Sequence, residues 1–283
     1  MSAALCLATY GVGVSVTGPL ILRRCSSTGH APGVAVAAWL AAAGSAVGSW
    51  QVAAGLTIAA GPPWLRAAAV AAVIALLIRW VWAGAVTVGR DLRRRARHRD
   101  GLRLIARLDR HLGVWLVDTA EPLAYAVPGR GGLIVLTRGA RERLSARQLS
   151  AVLAHERAHL SERHELISLA ANVCSRALPW LPLFSQVGPH VALLLEMRAD
   201  DAAARVHGAR TVAGALAALS REAAPAGAFA AGGATVTLRT RRLRRAHGRR
   251  ARRAGMAAAA ACLLVFLTCP FLAALDVLCL HMI

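Results

Sequence analysis

Residues 151–160, AVLAHERAHL, decide how the rest of this chain is interpreted. Residues four positions apart share one face of a helix, so His155 and His159 can both turn a ring nitrogen toward one metal ion. Glu156 lies beside that pair, where a carboxylate can take a proton from a zinc-bound water. The stretch therefore predicts a zinc site that carries its own general base. The alternative is a surface helix with two ordinary histidines.

The residues before this stretch predict where its helix begins. Ser145 followed by Gln148 is the pattern of a capping box. Apolar residues then recur at helical spacing into the motif. We expect one helix over about residues 146–164, with the metal-binding pair on one face.

A third ligand is needed, because catalytic zinc has three protein ligands and keeps one position open. It could be another His, a Cys or an acid. The chain holds only seven Glu and seven Asp, so acids within apolar sequence stand out. Glu196 ends a hydrophobic run, and Asp200 follows four residues later on the same helical face. This spacing predicts Glu196 as a ligand of one Zn²⁺ and Asp200 as a carboxylate that holds a ligand imidazole by its free N–H. The alternative is the polar face of an amphipathic helix.

With these residues the chain resembles the membrane-embedded gluzincin metallopeptidases. The resemblance lies in His-Glu-x-x-His, followed about forty residues later by Glu-x-x-Ala-Asp, and in the run AYAVPGRGGLIVLTRGARERLSARQLSAVLAHERAHL. It covers roughly residues 120–208. The group includes HtpX-like and CAAX prenyl endopeptidases. The resemblance is closest to the BlaR/MecR-type peptidases that transduce β-lactam signals, without their C-terminal sensor domain.

The resemblance also implies a role for each site residue. His155, His159 and Glu196 would bind zinc, Glu156 would be the catalytic acid/base, and Asp200 would orient a ligand. His164, Arg205 and His207 lie near the motifs and could stabilise an oxyanion, but we interpret them as structural.

Composition predicts a polytopic membrane protein. Hydrophobic residues make up 57% of the chain and the mean hydropathy is +0.50. About 20 apolar residues cross a bilayer, and four stretches are long enough: residues 3–22, 34–60, 64–89 and 256–280. The first has no basic region before its apolar run, so we interpret it as a retained anchor rather than a signal peptide.

Arginine predicts the orientation. The net charge is +20 and all 34 basic residues are Arg, with nine in residues 90–110 and nine in residues 239–253. The positive-inside rule places the termini outside and residues 90–254 in the cytoplasm. Anionic lipid headgroups are the expected contact of both clusters. Nucleic acid is not expected as a partner, because no aromatic residues interleave these clusters.

The predicted fold is mainly α, with a small β element inside a zincin-like α+β domain. We expect a charged helix over 91–112 and strands near 114–118, 123–127 and 132–137. Ile134 to Thr137 is the candidate edge strand, which in zinc peptidases takes an extended substrate by strand addition. The predicted domains are three transmembrane helices (1–90), a cytoplasmic metallopeptidase domain (91–254) and a C-terminal transmembrane helix (255–283).

These observations predict a plasma-membrane zinc endopeptidase that cleaves a cytoplasmic or membrane-associated protein or peptide. A transcriptional regulator in BlaR-like signalling is one target, and a membrane partner could supply the signal. The alternatives are a signalling protein with a non-catalytic zinc site and an HtpX-like quality-control peptidase. Arg79 lies in the third predicted span, where an ionisable residue is either functional or snorkels toward the interface.

Overall fold

The computed structural model describes residues 2–26, 31–129, 131–220, 229–245, 254–258 and 260–266. The protein is mainly helical with one small sheet, which confirms the predicted fold class at that level. The chain divides into two compact units. The first comprises residues 1–88, 168–194 and 249–283, and the second comprises residues 89–167 and 195–248.

Three helices are long and apolar enough to cross a membrane: α1 (Ser2–Ser26), α2 (Pro32–Ala60) and α3 (Pro63–Ile105). They match the first three predicted spans. For the fourth predicted span, the structure describes a shorter apolar helix over Ala254–Phe266. The rest of that prediction lies outside the described residues.

The predicted charged helix over 91–112 is present only as far as Ile105, as the last part of α3, so its predicted end was wrong. Helix α3 continues without a break to Ile105, because no proline interrupts it and charged side chains support its exposed turns. Arg95, for example, pairs with Asp91 one turn earlier at 2.6 Å. The chain then passes directly into strand β1 (Ala106–Asp109), which the sequence pattern did not indicate.

The sheet has the order β1-β2-β4-β3. Its other strands are β2 (Val114–Val117), β3 (Ala124–Val127) and β4 (Leu133–Thr137), within a residue of the predicted bounds. Strand β4 is parallel to β2 and antiparallel to β3. The candidate edge strand was therefore misplaced, because Ile134 to Thr137 belong to a central strand. Val135 and Leu136 are fully buried there, and the edges are β1 and β3.

Among the described residues, the sheet is followed by α4 (Arg138–Arg143), α5 (Ala146–Ser161), α6 (His164–Ala177), α7 (Pro182–His207), α8 (Ala209–Ser220) and α9 (Phe229–Arg244), before the apolar helix over Ala254–Phe266. Helix α5 is the centre of the second unit. Its Leu153 packs with Val114 and Leu136 of the sheet, and its Ala151 packs with Val212 of α8. Because α5 is packed on two sides, the direction of the helix face that carries His155 and His159 is fixed.

In the first unit, residues 168–194 pack against the apolar helices. The indole of Trp39 in α2 stacks on His190 with ring centroids 4.5 Å apart, and Trp50 stacks on Phe184 at 6.3 Å. Within this unit, the segment after the zinc motif thus shares a core with helices that could span a membrane.

Arg79 has a structural explanation in this unit. Its guanidinium donates to the carbonyl oxygens of Ala177 at 2.8 Å and Arg176 at 3.0 Å, the last residues of α6. It also lies over the rings of Trp82 and Trp180, 4.6 and 5.4 Å from their centroids. A cation here satisfies carbonyls that a helix end leaves without partners.

Candidate metal centre

Helices α5 and α7 bring the three predicted ligands together. The Nε2 atoms of His155 and His159 are 3.1 Å apart. Glu196 places one carboxylate oxygen 3.5 Å from Nε2 of His155 and the other 3.4 Å from Nε2 of His159. Within the described part of the chain, this is the group whose His, Cys, Asp or Glu atoms converge closely enough to share one ion.

These distances fit a zinc ion. Ligand atoms 2.0–2.1 Å from a tetrahedral Zn²⁺ are about 3.3–3.4 Å from one another, which is close to the three separations observed here. Two imidazole nitrogens and one carboxylate are also a donor set that zinc accepts at catalytic sites. The residues present therefore fit the metal that the sequence predicts.

A capping box fixes the start of α5, the helix that carries His155 and His159. The Ser145 side chain accepts from the backbone N–H of Gln148, and the Gln148 side chain accepts from the backbone N–H of Ser145, as the capping-box pattern predicts. The helix ends at Ser161 rather than at 164. Both histidines therefore lie in its last two turns, one above the other.

Asp200 lies behind His155. Its Oδ1 is 3.1 Å from Nδ1 of His155, although the ring is not aligned for a linear hydrogen bond. The carboxylate is completely buried. Arg239 and His155 hold its pKa below the usual value against the opposing effect of burial. The carboxylate of Asp200 thus lies where it can accept a hydrogen bond from Nδ1 of His155, the ring nitrogen that faces away from the other two ligands.

Arg239 is the site residue that the sequence analysis missed. It is 7% exposed and donates two hydrogen bonds to Asp200, at 2.8 and 2.7 Å. A third nitrogen lies 2.7 Å from Oε2 of Glu196. The residue belongs to the arginine cluster that we assigned to lipid headgroups, so that assignment was wrong at this position. It balances the buried carboxylate of Asp200 and the half-buried carboxylate of Glu196 instead.

Glu156 points into the same space and is buried. Burial is the main cause that raises the pKa of its carboxyl to about 7, and the backbone N–H of Ala126 in β3 opposes it. A carboxyl with a pKa near neutrality can both accept and return a proton at physiological pH.

The two histidines respond differently to their surroundings. Burial lowers the pKa of His155, but Asp200 and Glu196 outweigh it and raise the pKa to about 9. Burial dominates at His159 and lowers its pKa to about 4. Burial raises the pKa of Glu196, while His155 and Arg239 together bring it down to about 2. Asp200 and Glu196 therefore favour a positive charge at this centre.

A cavity of about 180 Å³ opens beside Glu156. One end is polar, where His155, Glu196 and Arg239 contribute to its wall. The rest is apolar and is lined by Ala124, Val152, Val212, Ala215, Leu216 and Leu219.

The comparisons with known proteins give one match. The profile of peptidase family M48 matches residues 91–261. No curated protein and no solved structure matches the chain. The matched range contains helices α5, α7 and α9 and therefore every residue of the centre described above.

Proposed function

Because the chain belongs to peptidase family M48, a family of zinc metallopeptidases, we propose that it hydrolyses peptide bonds at the His155–His159–Glu196 centre. The observation that carries this proposal is the convergence of three ligand atoms beside a buried carboxyl, that of Glu156. A zinc site that only stabilises a fold would more often fill its fourth position with a protein ligand and would not need a base.

Each residue of the centre then has its own role in the hydrolysis. When bound, zinc would act as a Lewis acid that makes a water molecule more acidic and polarises the scissile carbonyl. Glu156 takes the proton of the attacking water and returns it to the leaving amine. Asp200 and Arg239 keep His155 and Glu196 in place while this proton moves.

Removal of the metal tests this proposal. Protein treated with a chelator should lose cleavage of a peptide substrate, and added Zn²⁺ should restore it. The His155→Ala variant should remain inactive under the same additions, whereas His190→Ala should behave like the wild type, because His190 contacts Trp39 rather than the centre. Cleavage that survives in metal-free protein would contradict the proposal.

We propose that the substrate binds as an extended strand along β3, the sheet edge nearest Glu156. Ala126 in this strand donates its backbone N–H to the Glu156 carboxylate, and Ala124 lines the adjoining cavity. The other backbone groups along a strand edge offer donors and acceptors to a peptide of any sequence. Selectivity between substrates must then come from the cavity beside Glu156, which would receive one substrate side chain.

The apolar cavity suits one non-polar residue beside the scissile bond. A cavity of about 150 Å³ can hold a benzene molecule, so 180 Å³ accommodates side chains up to the size of phenylalanine. Charged residues should be rejected, because the cations and anions at the polar end already pair with one another.

Enlarging this cavity should change the selectivity. Leu216→Ala removes part of its wall, so cleavage beside tryptophan should rise relative to cleavage beside leucine by about 10-fold or more. Arg210→Ala, at an exposed position of the same helix, is the matched control. The ratio of kcat/KM for the two peptides measures the effect, and an unchanged ratio would show that this cavity does not receive the substrate.

We also propose that the chain is a multi-pass plasma-membrane protein with this centre in the cytoplasm. Three helices of sufficient length and the two arginine clusters support the proposal. The substrate would then be a cytoplasmic or membrane-associated protein. The resemblance to the BlaR/MecR type favours a transcriptional regulator, and the HtpX-like alternative favours misfolded membrane proteins.

Reporter fusions test the orientation. Fusions after Arg95 and Arg250 should report the cytoplasm, and fusions at Gly61 and after Ile283 should report the outside. An outward-facing reporter after Arg250 would reverse the orientation and exclude cytoplasmic substrates.

A further inference from the structure

A chain of polar contacts that passes through the buried His164 begins at the side of His159 that faces away from Glu196. Nδ1 of His159 lies 3.0 Å from Nδ1 of His164, whose side chain is only 3% exposed. Nε2 of His164 lies 3.2 Å from Oε2 of Glu162. Arg198 of α7 donates to that same oxygen. None of these contacts takes part in the proposed hydrolysis.

The turn between α5 and α6 makes this contact possible. On an unbroken α-helix, residues five positions apart are separated by about 140° around the axis, so His164 would face away from His159. Helix α5 instead ends at Ser161, and Arg163 adopts a left-handed backbone with φ of 50°. Residues other than glycine rarely adopt this conformation. Helix α6 then begins at His164 and returns the imidazole to His159.

The contacts fix which nitrogen carries each proton. The ionised carboxylate of Glu162 can only accept, so Nε2 of His164 must carry a hydrogen. A neutral His164 ring then has its lone pair on Nδ1, and the hydrogen of the next contact must come from Nδ1 of His159. This leaves the lone pair of His159 on Nε2, the atom that faces His155 and Glu196.

We propose that His164 is a positioning residue that holds His159 in the tautomer able to bind the metal. Glu162 and Arg198 orient His164, and His164 serves His159 as Asp200 serves His155. This role rests on the proposed zinc centre. It replaces the interpretation of His164 as merely structural.

Two variants of similar polarity test the proposal. In His164→Asn, the amide oxygen can occupy the position of Nδ1, because both atoms are bonded to Cγ, and it still accepts from His159. In His164→Gln, the amide lies one bond further out and reaches Glu162 instead. The zinc affinity of each purified full-length variant is measured by competition with a chelator, and the visible spectrum is recorded after cobalt(II) substitution.

The asparagine variant should bind zinc within about threefold of the wild type, and the glutamine variant about 10- to 100-fold more weakly. The cobalt spectrum should change in His164→Gln and stay close to that of the wild type in His164→Asn. Affinities for the glutamine variant equal to or above those of the asparagine variant would overturn the proposal while leaving the zinc centre intact. A wild type that binds no zinc would instead overturn the proposed function, and this role with it.

Discussion

Glu156→Gln should leave about one zinc per chain and lower kcat by about 10²- to 10⁴-fold, the range that a positioned general acid/base contributes. The amide keeps the size of the side chain but cannot take the proton of the attacking water. Zinc content and peptide cleavage are measured on the same purified sample. His155→Ala and Glu196→Ala are the contrasting variants, because they should lose the metal as well as the activity. Wild-type cleavage in Glu156→Gln would remove this residue from the mechanism.

The same variant should be more stable than the wild type when both are metal-free. Glu156 has a pKa of about 7 in the fold against a usual value of 4.5. At pH below 4.5 the carboxyl is protonated in the folded and the unfolded state, so the substitution should have little effect. As the pH rises from 4.5 to 7, the buried charge increasingly opposes folding. Above pH 7, Glu156→Gln should be stabilised by up to roughly 3 kcal/mol. Thermal unfolding at pH 4 and pH 8 checks this and shows that the inactive variant is folded.

Arg239→Met should destabilise the protein by about 3–5 kcal/mol, because it leaves the buried carboxylate of Asp200 without its partner. Methionine retains much of the apolar stem, so the loss reports mainly the charge. Arg241→Met, two residues away on the exposed side of α9, is the matched control and should change the stability by less than about 0.5 kcal/mol.

The double variant Asp200→Asn/Arg239→Met separates this ion pair from other effects of the substitution. Removal of both charges should recover part of the loss, since no unpaired carboxylate remains at position 200. Unfolding free energies of the four proteins give the coupling. Additive losses would show that the pair contributes nothing of its own.

The features of the centre that depend on short-range spacing along the chain could be predicted from the sequence. The spacing of His155 and His159 and of Glu196 and Asp200 follows from the period of a helix, and the capping box of Ser145 follows from backbone hydrogen bonding. The match to a metallopeptidase family confirms the predicted class of enzyme. The ligand and base roles remain predictions that the variants above test.

Arg239 could not be predicted, because nothing local distinguishes it from the eight other arginines of its cluster. Its role depends on a contact with Asp200 across 39 residues of sequence. His164 presents the same difficulty. Its contact with His159 requires a turn at Arg163, and no glycine or proline marks that turn in the sequence. The central position of β4 likewise depends on how β2 and β3 pair with it, which the pattern of one strand does not contain.

The most direct test of the centre is the X-ray absorption spectrum of the zinc-loaded wild type. We expect two imidazole nitrogens and additional oxygen ligands at about 2.0–2.2 Å, with no sulfur, at one zinc per chain. This is the environment that His155, His159 and Glu196 would provide. A spectrum with sulfur at about 2.3 Å, or with fewer than two imidazoles, would place the zinc elsewhere and contradict the account.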